Sequence, residues 1–191
     1  MYKRVIFGSV LAGILVVAIE YSTSEAADPP AGNTQTSLKN NQFPILQGAD
    51  IVKLDESPEY NKLNSAERRV LEFKDTERAG TGTYTKLKQA GTYICRRCNA
   101  PLYNSEHKFE SHCGWPSFDD ELPDAVARNL DADGSRVEIV CKNCGGHLGH
   151  VFDGEQFTLK NTRHCVNSIS MKFVPKGKEM PEVIRPKKAQ E

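Results

Sequence analysis

Two pairs of closely spaced cysteines constrain the fold of this chain more than any other feature. Cys95 and Cys98 form the first pair, Cys141 and Cys144 form the second, and 42 residues separate the pairs. Each pair follows an apolar stretch and precedes a turn, an arrangement that lets its two sulfurs point at one centre. The pattern predicts a structural zinc site with four cysteine ligands and one ion per chain. Disulfide bonds among these cysteines, or a redox role for one pair, are the alternatives.

Short β-type runs predominate after Gly80. Four such runs predict strands, at residues 93–94, 137–140, 151–152 and 169–174. Asn64 and Glu67 have the spacing of a capping box, which predicts a short helix over about residues 65–71. We therefore expect a mainly β fold, with antiparallel sheets around the four-cysteine zinc site and a short N-terminal helical segment.

The remainder of the chain divides by composition. Lys3 and Arg4 precede an uncharged run at residues 5–19, whose 15 residues are fewer than the roughly 20 of a spanning helix. Residues 1–26 are therefore predicted to be a signal peptide, with an uncleaved membrane anchor through residues 5–19 as the alternative. Both versions predict an exported protein, in a bacterial periplasm or envelope or secreted. Three further segments are predicted: a flexible linker or arm at 27–60, the folded domain at 61–174 and a solvated basic tail at 175–191.

The charge balance excludes one class of partner. The chain has 25 lysine and arginine residues against 25 aspartate and glutamate residues, so its formal net charge is zero. A nucleic-acid-binding domain usually has a strongly basic face. No nucleic-acid partner is therefore expected.

Two further cysteines lie outside the four-sulfur pattern. Cys165 follows Arg163 and His164, whose positive charges would favour a thiolate and lower the thiol pKa. Cys113 lies in a segment rich in turn residues, where a thiol can move to meet an oxidised partner. The two thiols indicate a sulfenic acid that closes to a disulfide. A permanent structural disulfide, or inert buried thiols, would explain them equally well.

Three other side chains in this region are candidates for chemistry. His147 and His150 follow the second cysteine pair in a glycine-containing segment that disfavours a helix, so a loop or strand edge would display both rings. Imidazoles act as general acids near neutral pH, although both rings could equally be structural. Trp115, the single tryptophan, lies two residues from Cys113 and could line a site for a small methyl-bearing group, or belong to the core.

Taken in order along the chain, these motifs match those of one enzyme family. They are Cys95-x-x-Cys98, the run from Cys113 to Phe118, the run from Cys141 to Phe152 and the run from Arg163 to Ser168, with Asp75-Thr-Glu-Arg78 upstream. Together they resemble peptide methionine-R-sulfoxide reductase, the B class of methionine sulfoxide reductases. The resemblance extends over about residues 62–174.

The resemblance implies a reaction and the partners that it needs. It implies that Cys165 is the nucleophile that attacks the sulfoxide sulfur and that Cys113 is the resolving cysteine. Oxidised proteins would be the substrates, and a thioredoxin-like dithiol would be the reductant. With the predicted export, this would be a protein-repair enzyme that acts outside the cytoplasm.

The same resemblance assigns roles to five further residues. His147 and His150 would lie where the sulfoxide oxygen is protonated, and Trp115 would contact the S-methyl group. Arg163 would favour the Cys165 thiolate, and Asn167 would help to hold the site.

Three positions depart from the commonest family pattern. His112 stands where glycine is usual, His164 where tyrosine is more frequent, and Glu155 where proline is common. Two other functions compete with the reductase: a zinc-ribbon binding module with an inert Cys113–Cys165 disulfide, and a general thiol–disulfide oxidoreductase that uses Cys95 and Cys98. The β-type flanks of that pair count against the second, because such a motif normally opens a helix.

Overall fold

The computed structural model describes residues 45–46, 51–56 and 59–185. The predicted signal peptide or anchor at residues 1–26 and the first part of the predicted arm lie outside the described residues. So does the end of the tail, at residues 186–191. Within the described ranges, no helix combines the length and the apolar character needed to cross a membrane.

Strands form most of the regular structure, and they make two sheets. The bounds of the strands are β1 Ile45–Leu46, β2 Gly91–Cys95, β3 Pro101–Asn104, β4 Lys108–Phe109, β5 Ser117–Phe118, β6 Val126–Leu130, β7 Val137–Cys141, β8 His147–Asp153, β9 Thr162–Val166 and β10 Met171–Pro175. The larger sheet has the order β1-β6-β7-β8-β9-β5-β4, and the smaller has the order β10-β2-β3. All neighbours are antiparallel except β1 and β6, so the predicted mainly β, antiparallel fold is confirmed.

The predicted short helix is present as α1, Ser65–Leu71. The Asn64 side chain accepts a hydrogen bond from the Glu67 backbone N–H at 2.9 Å, and the Glu67 carboxylate accepts one from the Asn64 N–H at 2.9 Å. These two bonds satisfy donors that a helix N-terminus otherwise leaves unpaired. Val70 and Leu71 are buried, so the helix packs one apolar edge against the sheets.

A cluster of aromatic rings connects the two sheets. Tyr93 of β2 and Tyr103 of β3 contact Phe118 of β5, with ring centroids 5.0 Å and 4.3 Å apart. All three side chains are fully buried. Ser117 precedes Phe118 on β5 and pairs with Cys165 of β9. The aromatic core therefore supports the strand on which the candidate nucleophile lies.

The strand predicted at residues 169–174 begins later than expected. Ser168–Ser170 form a 3-10 turn, and β10 starts at Met171. The Ser168 hydroxyl accepts a hydrogen bond from the Tyr84 N–H at 2.7 Å, and the Ser170 hydroxyl donates to the His147 carbonyl at 2.9 Å. Serine side chains that bond to the backbone compete with a β ladder. These contacts explain why the alternating pattern does not continue upstream of Met171.

Described parts of the predicted arm and tail lie against the cysteine turns. The Asp55 N–H donates to the Cys144 carbonyl at 3.0 Å, and the Ile184 N–H donates to the Cys98 carbonyl at 2.9 Å. Asn143 adds a bond from its side-chain amide to the Ile184 carbonyl at 2.7 Å. Buried turn carbonyls need donors, and segments from both ends of the domain provide them here.

Candidate active site

The four cysteines of the two CxxC pairs meet in one buried cluster. Their sulfurs all lie within 4.8 Å of one another, with Cys95 3.7 Å from Cys144 and Cys98 3.5 Å from Cys141. Four sulfurs placed about 2.3 Å from a tetrahedral ion would be about 3.8 Å apart, whereas a disulfide needs about 2.05 Å. All six cysteines of the chain are described, and each is a free thiol. The cluster therefore fits a metal ion and does not form the alternative disulfides.

The two cysteine turns share one backbone design. In the first turn, the Asn99 N–H donates to the Cys95 carbonyl and the Cys95 N–H donates to the Ala100 carbonyl. In the second turn, the Gly145 N–H donates to the Cys141 carbonyl and the Cys141 N–H donates to the Gly146 carbonyl. Asn99 and Gly145 both have a left-handed backbone, with φ of 64° and 70°. A side chain at Gly145 would also overlap the backbone at Lys53. Two equivalent turns present their sulfurs in the same way, which builds a symmetric four-sulfur cage.

The other two thiols lie side by side at the larger sheet. Cys165 lies on β9, Cys113 lies in the loop between β4 and β5, and their sulfurs are 3.7 Å apart. Ser111 donates a hydrogen bond to the Cys113 sulfur at 3.0 Å, and the Ser117 hydroxyl lies 3.5 Å from it. His112 adopts a left-handed backbone with φ of 59°, at the position where the family commonly has glycine. The loop thus carries backbone strain next to the thiol that would have to move.

The two facing thiols titrate as a pair. The hydrogen bond with Cys165, reinforced by those from Ser111 and Ser117, lowers the pKa of Cys113 to about 4. The same contact with Cys113, together with burial, raises the pKa of Cys165, while the charge of Arg163 acts in the opposite direction. This geometry favours a thiolate on Cys113 and a thiol on Cys165. The sequence prediction had placed the stabilised thiolate on Cys165 alone.

Arg163 is fixed on the same face of β9 as Cys165. Glu155 accepts its two hydrogen bonds, at 2.6 Å and 2.8 Å, and the guanidinium lies 4.5 Å from the centre of the Phe152 ring. This bidentate pairing raises the pKa of Arg163, as do the nearby thiols. Glu155, which departs from the commonest family pattern, therefore holds the arginine beside the thiol pair.

A cleft of about 120 Å³ opens over Cys165. Its lining residues are Thr76, Trp115, Arg136, Gly149, His150, Phe152, Cys165 and Asn167. Four of these were predicted as site residues: Trp115, His150, Cys165 and Asn167. Cys113, His147 and Arg163 are not among the lining residues of the cleft. Sequence reasoning missed Arg136, while Thr76, Gly149 and Phe152 were identified only as members of the family motifs.

Glu77 forms hydrogen bonds with Trp115, Asn167 and Ser168. Its carbonyl accepts a hydrogen bond from the Trp115 indole at 2.8 Å, and its N–H donates to the Asn167 side chain at 2.9 Å. Its carboxylate accepts from the Ser168 N–H at 2.7 Å. Asn167 also donates from its side chain to the Leu148 carbonyl at 3.0 Å. The upstream motif and Asn167 therefore position the tryptophan as one wall of the cleft.

The two candidate histidines have different surroundings on β8. His147 is buried, with Nδ1 2.7 Å from a carboxylate oxygen of Glu138. His150 lies opposite Cys165 in the β8–β9 register, with Nε2 3.1 Å from Asp131. Burial, with the charge of Arg136, lowers the pKa of His150. The rings of His147 and His150 are 5.6 Å apart, so they form one contiguous imidazole pair.

Gly149, between the two histidines, brings β8 close to the candidate nucleophile. Its backbone has φ of 154°, and a Cβ atom there would overlap the carbonyl oxygen of Cys165. Only glycine avoids this overlap without moving one strand. The His-Leu-Gly-His segment therefore combines two imidazoles with the close approach that sets one of them beside Cys165.

His164 lies on the opposite side of β9 from Cys165, because neighbouring residues of a strand point to opposite faces. It is fully buried, 3.0 Å from the Tyr103 hydroxyl and 3.0 Å from Arg128, which pairs with the buried carboxylate of Glu121 at 2.6 Å. The expectation that its ring would lie beside the nucleophile is therefore wrong. Burial and the charge of Arg128 lower the pKa of His164.

The buried His164 predicts a loss of stability in mild acid. Burial and the charge of Arg128 outweigh the Glu121 carboxylate, 3.1 Å from Nε2, and oppose protonation of the ring in the folded chain. The unfolded chain takes up a proton below about pH 6.5, so acid favours unfolding. Between about pH 7.5 and about pH 5.5, this one proton should lower the free energy of unfolding by about 1.4 kcal/mol. Urea unfolding of the wild type and of His164→Tyr at both pH values measures the difference. An identical pH dependence in the two proteins would contradict the assignment.

Comparison with known proteins agrees with this geometry. Residues 63–175 match the family model of the SelR domain. The matched residues make up more than half of the chain. The chain is 53% identical, over 61% of its length and 52% of the relative's, to peptide methionine sulfoxide reductase B3, chloroplastic, of Oryza sativa subsp. japonica. It is 54% identical, over 60% of its length and 57% of the relative's, to peptide methionine sulfoxide reductase B2, chloroplastic, of Arabidopsis thaliana. The match spans little more than half the length of these two relatives.

These relatives overturn the predicted location. The chain was expected to be exported, to a bacterial periplasm or envelope or by secretion, yet both relatives are chloroplastic plant proteins, so that prediction is wrong. An apolar run after two basic residues is typical of targeting segments, but related N-terminal segments serve several destinations. Composition alone therefore does not identify the compartment.

Proposed function

The chain belongs to the B-class peptide methionine sulfoxide reductases, the family of the SelR domain, and on that basis we propose that it reduces methionine-R-sulfoxide in proteins to methionine. The observation that carries the proposal is the convergence in one cleft of Cys165, His150 and Trp115, with the Cys113 sulfur 3.7 Å from that of Cys165. A nucleophile, a proton source, an apolar wall and a second thiol are what sulfoxide reduction by a thiol requires.

In the first step, Cys165 attacks the sulfoxide sulfur as a thiolate. The thiol proton then lies on Cys113, an arrangement that the charge of Arg163 favours. The attack forms a bond between the two sulfurs. As the oxygen moves, this bond and the bond between oxygen and the substrate sulfur both break, and a bond between oxygen and the Cys165 sulfur forms. The substrate sulfur gains two electrons and leaves as a thioether, while Cys165 loses two and becomes a sulfenic acid.

The departing oxygen needs one proton to become the hydroxyl of the sulfenic acid, and the two imidazoles are the donors in this proposal; the second proton of the water formed in the next step comes from the Cys113 thiol. His150 lines the cleft and lies opposite Cys165, and His147 lies behind it. Trp115 forms the wall against which the S-methyl group packs. Asn167 keeps that wall in place through its bond to the Glu77 backbone.

In the second step, Cys113 attacks the sulfur of the Cys165 sulfenic acid. The oxygen leaves as water, and a disulfide forms between the two cysteines. The sulfurs need to approach from 3.7 Å to about 2.05 Å, which asks for only a small movement of the Cys113 loop. A thioredoxin-like dithiol then reduces this disulfide by exchange and returns both thiols.

One structural zinc ion per chain is the metal that the four-sulfur cluster fits best. Cys95, Cys98, Cys141 and Cys144 would hold it, and four thiolates complete the tetrahedral coordination. The ion would stabilise the two cysteine turns, and no reaction step passes through it. This proposal rests on the sulfur spacing and on the burial of the four residues.

The proposed function predicts turnover of one epimer only. With dithiothreitol as reductant, the full chain should form methionine from a blocked methionine-R-sulfoxide peptide and leave the S epimer unchanged. Chromatography of methionine from the two separated epimers measures this directly, and a parallel assay of protein disulfide reduction tests the oxidoreductase alternative. Turnover of the S epimer alone, or of neither epimer, would overturn the proposal.

A further inference from the structure

A buried carboxylate that the sequence did not point to holds the inner histidine. Glu138 on β7 is buried, and one of its oxygens lies 2.7 Å from Nδ1 of His147. The other oxygen accepts a hydrogen bond from Lys74 at 2.8 Å. Each carboxylate oxygen therefore has a partner of its own, which leaves the group little freedom to rotate.

The free nitrogen of His147 is the second observation. Nε2 is buried and has no hydrogen-bond partner among the described residues. A buried polar atom without a partner is rare, and it marks a place where a ligand, a water or a reacting group belongs. Because Nδ1 is bound to Glu138, Nε2 is the only nitrogen of this ring that can exchange a proton with another group.

Lys74 reaches Glu138 from a strained backbone. It follows α1 with φ of 59°, a left-handed conformation that is unfavourable for a residue with a side chain. Its side chain is largely exposed, yet its ammonium ends on the buried carboxylate. Burial alone would oppose ionisation of Glu138, but the hydrogen bonds from His147 and Lys74 outweigh it and hold the pKa of this carboxyl below its ordinary value.

We propose that Glu138 is a positioning residue that keeps the proton of neutral His147 on Nδ1, so that Nε2 is the nitrogen that takes part in proton transfer. An ionised carboxylate only accepts hydrogen bonds, so the nitrogen that faces it must carry hydrogen. Neutral His147 then has its lone pair on Nε2, and a second proton on the ring can leave only from Nε2. The claim for catalysis rests on the proposed sulfoxide reduction, whereas the claim for the tautomer does not.

The arrangement separates the tasks of the two imidazoles. Asp131 binds His150 through Nε2, with Arg136 on the same carboxylate oxygen at 3.1 Å. Glu138 binds His147 through the opposite ring nitrogen. Each ring is thus oriented by one carboxylate that is itself held by one cation. The two neighbouring rings are therefore held through opposite nitrogens, and Nε2 of His147 keeps no partner among the described residues.

Nuclear magnetic resonance of the full chain, purified with its metal and labelled with ¹⁵N at histidine, tests the tautomer directly. The ring ¹⁵N shifts, recorded at a pH where His147 is neutral, should show hydrogen on Nδ1 in the wild type. Glu138→Gln replaces the acceptor by an amide that can donate to Nδ1, so hydrogen should move to Nε2. A wild-type ring with hydrogen on Nε2 would overturn the proposal, whether or not the variant folds.

Turnover provides the second measurement. Glu138→Gln should reduce methionine formation by about 10²-fold, the lower end of what a positioned acid contributes, while Cys165 stays open to alkylation. Asp124→Asn is the matched control, because it makes the same change in an exposed carboxylate that pairs with Lys142. Unchanged turnover in Glu138→Gln would overturn the catalytic claim. A wild type without any sulfoxide reduction would overturn the proposed function, and the spectra would still decide the tautomer.

Discussion

Cys165→Ser should abolish methionine formation completely, even in a single turnover. A serine hydroxyl at this position has no accessible anion near neutral pH, so nothing attacks the sulfoxide sulfur. Cys165 is the thiol that reaches the cleft, whereas Cys113 is not among its lining residues. The measurement is methionine released per chain after addition of one equivalent of substrate, followed by mass spectrometry of the intact protein.

Cys113→Ser should behave differently, and this difference tests the order of the two thiols. This variant should release about one methionine per chain and leave a sulfenic acid at Cys165, which a dimedone-type reagent traps. It should stall with a thioredoxin-like donor, which acts on a disulfide, but continue slowly with a small thiol that reaches the sulfenic acid. A dimedone adduct on Cys113 in the Cys165→Ser protein, together with released methionine, would reverse the assignment.

The second large effect concerns the metal cluster. Cys144→Ser should remove the bound metal and unfold the chain at temperatures where the wild type is folded. Apparent binding free energies of structural zinc sites are about 10–16 kcal/mol, comparable to or larger than the whole stability of an ordinary domain. Metal analysis and thermal unfolding of the purified variant measure both consequences. Cys113→Ser is the matched control, because it makes the same chemical change outside the cluster and should keep the metal.

The contacts of the cysteine turns explain why this loss should spread. Asp55 bonds to the Cys144 carbonyl and Ile184 bonds to the Cys98 carbonyl, so segments at both ends of the domain depend on the shape of the turns. Zinc removal with a chelator should therefore produce the same unfolding as the substitution. Wild-type protein that contains no metal, together with a Cys144→Ser variant of wild-type stability, would show that the cluster is not a metal site.

Local sequence patterns were sufficient for several parts of this protein. The capping box at Asn64 and Glu67 predicted α1 over its observed bounds, because all of its hydrogen bonds lie within four residues. The paired cysteines predicted the ligands of the four-sulfur cluster, because each short turn orients its own two sulfurs, although the meeting of the two turns is a tertiary contact. Short strands such as β4 and β5 have two residues each, too few for an alternating pattern, and were missed.

Contacts between distant parts of the chain left no local pattern in the sequence from which they could be predicted. Lys74 and Glu138 are 64 positions apart, and Glu77 and Asn167 are 90 apart, so neither pair is visible in a motif. His164 was expected beside the nucleophile because it precedes it in sequence, yet the alternation of β9 turns it to the opposite face. The sequence by itself determined which residue types were present for metal binding and thiol chemistry, because their spacing within each turn is a local property. Only the tertiary structure decided which thiol faces the cleft, which nitrogen of His147 is left without a partner among the described residues and which carboxylate holds that ring, because strand register and packing set those contacts.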